Sequence, residues 1–234
     1  MSNAVPFERP RNLPDNGKSD AQGKEDSMAS PGLGLTMRDV RDFYEIVRED
    51  FAAHGGDWSR PGFQALLVYR FGVWRMKIRH RLVRAPLTVL WRTLFEAVRN
   101  FYGIELPYSA HIGRRVVFEH QHGIVVHGDT VIGDGCIIRH GVTLGIRRLD
   151  RLGDAPVLGR GVNVGAGAKI LGRLHIGDQA EIGANSVVLE DVPAGALAVG
   201  VPARVKRRER VRRAPKSYDG NGMRSSRHVP HAEA

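Results

Sequence analysis

LGRGVNVGAGAKILGRLHIGDQAEIGANSVVL, running from Leu158 to Leu189, sets an aliphatic residue at every sixth position: Leu158, Val164, Ile170, Ile176, Ile182 and Val188. Glycine follows directly at Gly159, Gly165, Gly177 and Gly183. An amphipathic helix repeats near 3.6 residues and a half-buried strand near two, so a period of six fits neither. It fits a parallel β-helix, in which short flat strands stack and each coil adds its inward side chains to one continuous core. The count extends backward through Ile132, Ile138 and Leu144, and an earlier block holds Ile112, Phe118 and Ile124. Between Leu144 and Leu158 the interval is fourteen rather than twelve, which predicts a loop projecting from one corner over Ile146 to Pro156. Loops that interrupt a regular scaffold tend to carry function.

Upstream of Ile112 the pattern is helical. Thr36 with Asp39 resembles a helix N-terminal cap, and Val40, Phe43, Tyr44, Val47 and Phe51 keep helical spacing until His54-Gly55-Gly56 stops it. Ser59 and Pro61 are placed to start a second helix, and Pro86 to open a third that ends near Gly103. The predicted fold class is therefore α+β, an N-terminal helical region followed by a β-helix. Four segments result: a disordered tail over 1–35, a helical region over 36–103, the β-helix over 104–207, and a basic, disordered tail over 208–234. Both tails are too polar to offset the entropy of ordering them.

The 234 residues suit one principal domain with appendages, and a 42% hydrophobic content suffices for a core. Lys and Arg number 35 against 25 Asp and Glu, a formal +10 that favours an anionic partner without choosing among nucleic acid, an acidic membrane and a phosphorylated ligand. The single cysteine, Cys136, excludes an internal disulfide and a Cys-based zinc site, and points to a reducing compartment. No apolar run reaches the roughly 20 residues of a membrane span, and the N-terminal stretch lacks the apolar centre of a secretory signal. A cytoplasmic protein is expected. The amphipathic stretches Phe63 to Trp74 and Ala85 to Val98 would also allow peripheral contact with the inner face of the membrane.

Several motifs, taken in order and spacing, carry a family likeness: Ile112-Gly113, Phe118-Glu119-His120, Gly123-Ile124-Val125-Val126, Val142-Thr143-Leu144-Gly145, Val164 through Gly172, and Gly200-Val201-Pro202-Ala203-Arg204. Over residues 60–207 they resemble serine acetyltransferases. Phe101-Tyr102-Gly103-Ile104-Glu105, Ile112-Gly113-Arg114-Arg115 and Ile138-Arg139-His140-Gly141-Val142-Thr143 are more similar still to acetyltransferases of exopolysaccharide synthesis of the colanic acid type. The resemblance implies a left-handed β-helix, acetyl-CoA as co-substrate with no metal, and a homotrimer with sites between subunits. It further implies that the helical part can pair two trimers.

Moving acetyl to a hydroxyl needs a base, because an alcohol is a poor nucleophile until its proton leaves, and histidine suits that task near neutral pH. The family's catalytic histidine falls on His120, and its orienting aspartate, fifteen residues earlier, is here Glu105. The plain alternatives are a histidine that caps a turn and a glutamate on a surface. For the donor, the resemblance runs the pantetheine arm past backbone at Gly145, Ala166 and Ala184, with Arg204, Lys206 and Arg207 available to the CoA phosphates.

The acceptor is read from the loop. Where serine acetyltransferases carry an Arg-His-Pro that helps bind the amino acid, this chain has Asp154-Ala155-Pro156, and an acid there would repel a carboxylate. Arg147, Arg148 and Arg151 in the same loop offer replacement cations, and His140 is either a second acceptor-site residue or a solvated turn histidine. The acceptor candidates are thus His140, Arg147, Arg148 and Asp154. The expected acceptor is a sugar hydroxyl of an exopolysaccharide or its lipid-linked precursor, with L-serine as the alternative.

Two other classes compete. His122 and His127 reproduce the five-residue offset of a zinc pair in γ-type carbonic anhydrases, but catalytic zinc wants three protein ligands and no third histidine lies about two coils earlier. A non-catalytic β-helical scaffold or nucleic-acid binder would use the basic run after Ala203, which lacks an aromatic platform. Nucleic acid is therefore not the expected partner.

Overall fold

The structure is a computed structural model that describes residues 37–148, 150 and 153–206. Both expected tails, Arg207 and Arg151 lie outside the described residues.

Three helices come first. α1 (Met37–Ala53) has Asp39 in its first turn, where a carboxylate meets the positive end of the helix, and gives way to Gly55 and Gly56, both with positive φ. α2 (Pro61–Arg75) opens on its proline, whose missing N–H is one that a helix start leaves unpaired anyway. α3 (Arg81–Tyr102) departs from the sequence reading, because Pro86 lies inside it and the helix starts five residues earlier. The Arg84 N–H bonds the His80 carbonyl at 3.0 Å, so the first turn closes ahead of the proline, which forfeits only its own backbone bond. Gly103 ends α3 in the left-handed conformation, φ 62°.

Short strands then wrap a three-faced prism, a left-handed parallel β-helix. The first face stacks β1 (Ile104–Glu105), β4 (Ile124–Val126), β7 (Thr143–Gly145), β10 (Lys169–Leu171) and β13 (Val187–Val188). The second stacks β2 (His111–Ile112), β5 (Val131–Ile132), β8 (Val157–Leu158) and β11 (His175–Ile176). The third stacks β3 (Val117–Glu119), β6 (Ile137–Arg139), β9 (Asn163–Val164), β12 (Glu181–Ile182) and β14 (Leu197–Gly200), and is closed by the antiparallel β15 (Ala203–Lys206). Ile112, Ile132, Leu158 and Ile176 form one inward column. Phe118, Ile138, Val164, Ile182 and Ala198 form another. Every aliphatic of the six-residue count is buried, as is Phe118.

The ladder corrects the count at two corners. Regular coils advance by eighteen residues, as from Val157 to His175 and from Lys169 to Val187. The first coil advances by twenty, from Ile112 to Ile132. The two extra residues lie at the corner after Glu119, where His120 to Gly123 do what His140 and Gly141 do one coil later. Val126, not Ile124, therefore continues the column of Leu144 and Ile170. On the same two columns Val126 and Ile132 stand six apart, whereas Leu144 and Leu158 stand fourteen apart. The loop thus inserts eight residues rather than two.

A solenoid leaves its first coil with an open strand edge, and here the helices close it. The Tyr69 hydroxyl donates to the Ala110 carbonyl at 2.8 Å and accepts the Ile112 N–H at 3.1 Å. Arg70 donates to the carbonyls of Ile112, at 2.7 Å, and Gly113, while its Nε meets the Asp50 carboxylate at 2.8 Å. Asp50 also accepts the Arg115 N–H at 3.2 Å. His54 donates from Nδ1 to the Asp50 carbonyl at 2.7 Å and accepts the Phe118 N–H at Nε2, at 3.3 Å. Asp50, His54 and Arg70 are all buried, and Gly62 packs so closely on the Phe118 carbonyl that no Cβ would fit.

Candidate active site

The corner where the third face turns into the first carries both histidines. Successive coils stack there through backbone bonds: Gly141 N–H to the His122 carbonyl at 2.9 Å, Gly167 N–H to the His140 carbonyl at 2.8 Å, and Asn185 N–H to the Ala166 carbonyl at 2.8 Å. The corner needs left-handed backbone, and Gly167 supplies it at φ 74° with its Cα face against the Asn185 side chain, where a Cβ would collide. In the lowest coil the two inserted residues leave His120 and His122 in the same region, at φ 66° and 76°. Side chains rarely adopt that conformation, and such strain, of order 1 kcal/mol or more per residue, gathers at functional sites.

His120 and His140 are brought together. Their ring centroids lie 5.5 Å apart in an edge-to-face arrangement, with both rings exposed along the corner. Beside them Glu119 meets Arg139 Nε at 2.9 Å, and Arg139 reaches on to the Asn163 side chain. The sequence reading did not assign this pair. Its signal was available, since Glu119 and Arg139 each precede a corner histidine and the strand register sets them opposite one another.

Glu105 lies on the first face beside Val125, and the same outward row continues through Thr143 to Lys169. Beneath the His120 corner sit Tyr102 and Gly103, whose carbonyls accept the N–H groups of His122 at 2.7 Å and Ile124 at 3.0 Å. No hydrogen bond or ion pair joins Glu105 to His120 among the described residues. Lys169 donates to the Gly141 carbonyl at 2.6 Å and to the Thr143 hydroxyl at 3.1 Å, which ties the histidine corner to the first face.

Ala166 and Ala184 occupy the histidine corner one and two coils above His140, whereas Gly145 ends β7 at the far edge of the first face. Arg204 pairs with Val199, which packs over Gly183, so Arg204 stands near the top of the histidine column. Lys206 pairs with Leu197 at the other end of β14. Both cations are exposed.

Arg147, Arg148 and Asp154 come together at the far edge, lining an open cleft of about 640 Å³ with Leu171, Arg173 and Leu189. Arg148 faces Asp150 with two contacts of 3.0 Å. Within one chain, then, the acceptor candidates divide: His140 sits with His120, and the loop residues sit one face-width away. A three-residue strand spans roughly 10 Å. His122 and His127 lie at opposite ends of β4, and no cluster of three metal-ligating side chains occurs among the described residues. Burial pushes the Cys136 thiol up to about 11, leaving it unreactive near neutral pH. Among the described residues no helix is long and apolar enough to cross a membrane.

No protein-family model matches the chain. It is 40% identical over 169 residues to the serine acetyltransferase of Helicobacter pylori strain J99, a match covering 70% of this chain and 94% of that one. It is 42% identical over 163 residues to WcaB of Escherichia coli K12, a protein named for acetyl transfer in colanic acid biosynthesis, covering 68% and 97%. Among solved structures it superposes on the serine acetyltransferase of Brucella abortus in complex with coenzyme A with a TM-score of 0.61, 29% identity, and coverage of 72% and 69%.

Proposed function

The chain belongs to the serine acetyltransferase-like family of hexapeptide-repeat acetyltransferases, and from that premise we propose that it acetylates a sugar hydroxyl from acetyl-CoA, with His120 as the base. The observation that carries the site is the strained corner that sets the His120 and His140 rings 5.5 Å apart below the small residues Ala166 and Ala184. As the acceptor oxygen bonds to the thioester carbon, its proton passes to the His120 imidazole. The tetrahedral oxyanion then collapses, the carbon–sulfur bond breaks, and the departing thiolate takes the proton back as CoA thiol. In this reading His140 borders the acceptor hydroxyl, and Glu105 is the carboxylate that orients His120. The pantetheine arm runs up the column past Ala166 and Ala184, where small side chains let it approach the backbone, and Arg204 meets its phosphates.

A sugar is favoured over serine because Asp154 and Ala155 stand where the family's serine enzymes carry the cation and histidine that help bind the amino acid, and by the WcaB likeness. The proposed assembly is a trimer, because the histidine corner and the arginine cleft stand at opposite edges of one face and a neighbouring β-helix would bring one against the other. The test is CoA thiol release from acetyl-CoA with L-serine in one reaction and nucleotide-linked and lipid-linked sugars in others. Release with sugars and not with serine is expected, and efficient release with serine alone would overturn the sugar reading.

A further inference from the structure

The far-edge cleft has a composition that neither a neutral sugar nor an amino acid requires. Arg147 and Arg173 have no hydrogen-bonding or ion-pair partner among the described residues, whereas Arg148 is held by Asp150. Arg173 belongs to the corner between β10 and β11, part of the regular coil rather than of the loop. The loop folds back onto that corner, since the Arg147 Cβ lies 3.5 Å from where a Cβ on Gly172 would be. Leu171, Leu189 and Asp154 line the same cleft.

Arginines brought to one cleft from two elements suit an oxyanion with several oxygens, because each guanidinium presents a planar fork that pairs with phosphate. A single carboxylate would leave one of them unmatched. We propose that this cleft is a phosphate subsite, filled by a phosphate ester or pyrophosphate that arrives with one of the two substrates. The inference rests on the reading of the chain as an acetyl-CoA-dependent sugar acetyltransferase, and two sources supply that chemistry: CoA itself, or a nucleotide- or lipid-linked sugar. Either reaches a reacting centre at the histidine corner, one face-width away in the same chain or facing the cleft from a neighbour.

The test is calorimetric titration of the full chain and of Arg173→Ala with two probes, CoA and then inorganic pyrophosphate added to protein saturated with CoA. Loss of one charge-assisted contact should weaken the relevant probe by about tenfold or more. A weakened CoA affinity in the variant assigns the subsite to the donor. Unchanged CoA affinity, with pyrophosphate binding to the saturated wild type and lost in the variant, assigns it to the acceptor. If Arg173→Ala alters neither probe, the subsite is overturned. Because no transfer is measured, that failure is separate from failure of the sugar reading, which shows only in the acceptor panel.

Discussion

His120 is held by backbone more than by side-chain bonds, and that decides how its neighbours should behave. Two inserted residues and positive φ values at His120, His122 and Gly123 fix where the imidazole emerges. On the proposed orienting role of Glu105, Glu105→Gln should lower kcat by about tenfold and leave acetyl-CoA affinity unchanged, a smaller loss than removal of the base. A wild-type rate would make Glu105 a surface residue. His54 gives a second prediction, since its bond to the Phe118 N–H lies two residues upstream of His120. Burial pushes its pKa below the ordinary 6.5, against the opposing pull of Asp50 and with a smaller push from Arg60. Between its folded and unfolded pKa values the unfolded chain holds the proton and the folded chain does not, so stability is full above about 6.5 and falls as pH drops through that value. Asp50, raised by burial, has the opposite slope at lower pH, near and above the ordinary carboxylate range. His54→Gln should therefore flatten the decline in Tm between neutral and mildly acidic pH, and an unaltered decline would locate the proton uptake elsewhere.

At the level of elements, α1 and α2 are a lid on the first coil, and their polar groups take the place of the strand that is missing there. Arg70 serves the carbonyls of Ile112 and Gly113 and the buried carboxylate of Asp50 at once. Arg70→Ala would leave Asp50 uncompensated, and a loss of about 3–5 kcal/mol is expected in denaturant unfolding. A loss under about 1 kcal/mol would mean that the lid contributes little. The coil itself was legible because the inward positions Leu158, Val164, Ile170, Ile176, Ile182 and Val188 demand an aliphatic residue at every sixth position. The corner insertions were not, since Ile124 and Val126 are both aliphatic and both buried, and either satisfies the count. The strand register, with Glu119 opposite Arg139 and Val126 opposite Leu144, reveals the slip that displaces His120. Pro86 misled for a related reason: proline marks helix starts statistically, and the turn ahead of it, made of Arg81 to Ala85, carries no competing stop signal.

For the whole molecule, the site candidates divide between two edges of one face, and in the proposed trimer that division makes assembly part of the chemistry. His120 and His140 were legible as a motif, and the loop residues Arg147, Arg148 and Asp154 as an interruption, but no single-chain pattern says that the two lie apart. Sedimentation equilibrium should give three times the chain mass at assay concentration, and a monomer with full activity would remove the shared-site arrangement. The most direct test of the account is turnover by His120→Ala in the assembled protein, with the acceptor selected by the panel and acetyl-CoA affinity measured alongside. A fall in kcat of about 10²-fold or more with donor affinity near wild type is the predicted result. Turnover at the wild-type rate would contradict His120 as the base and, with it, the corner as the active site.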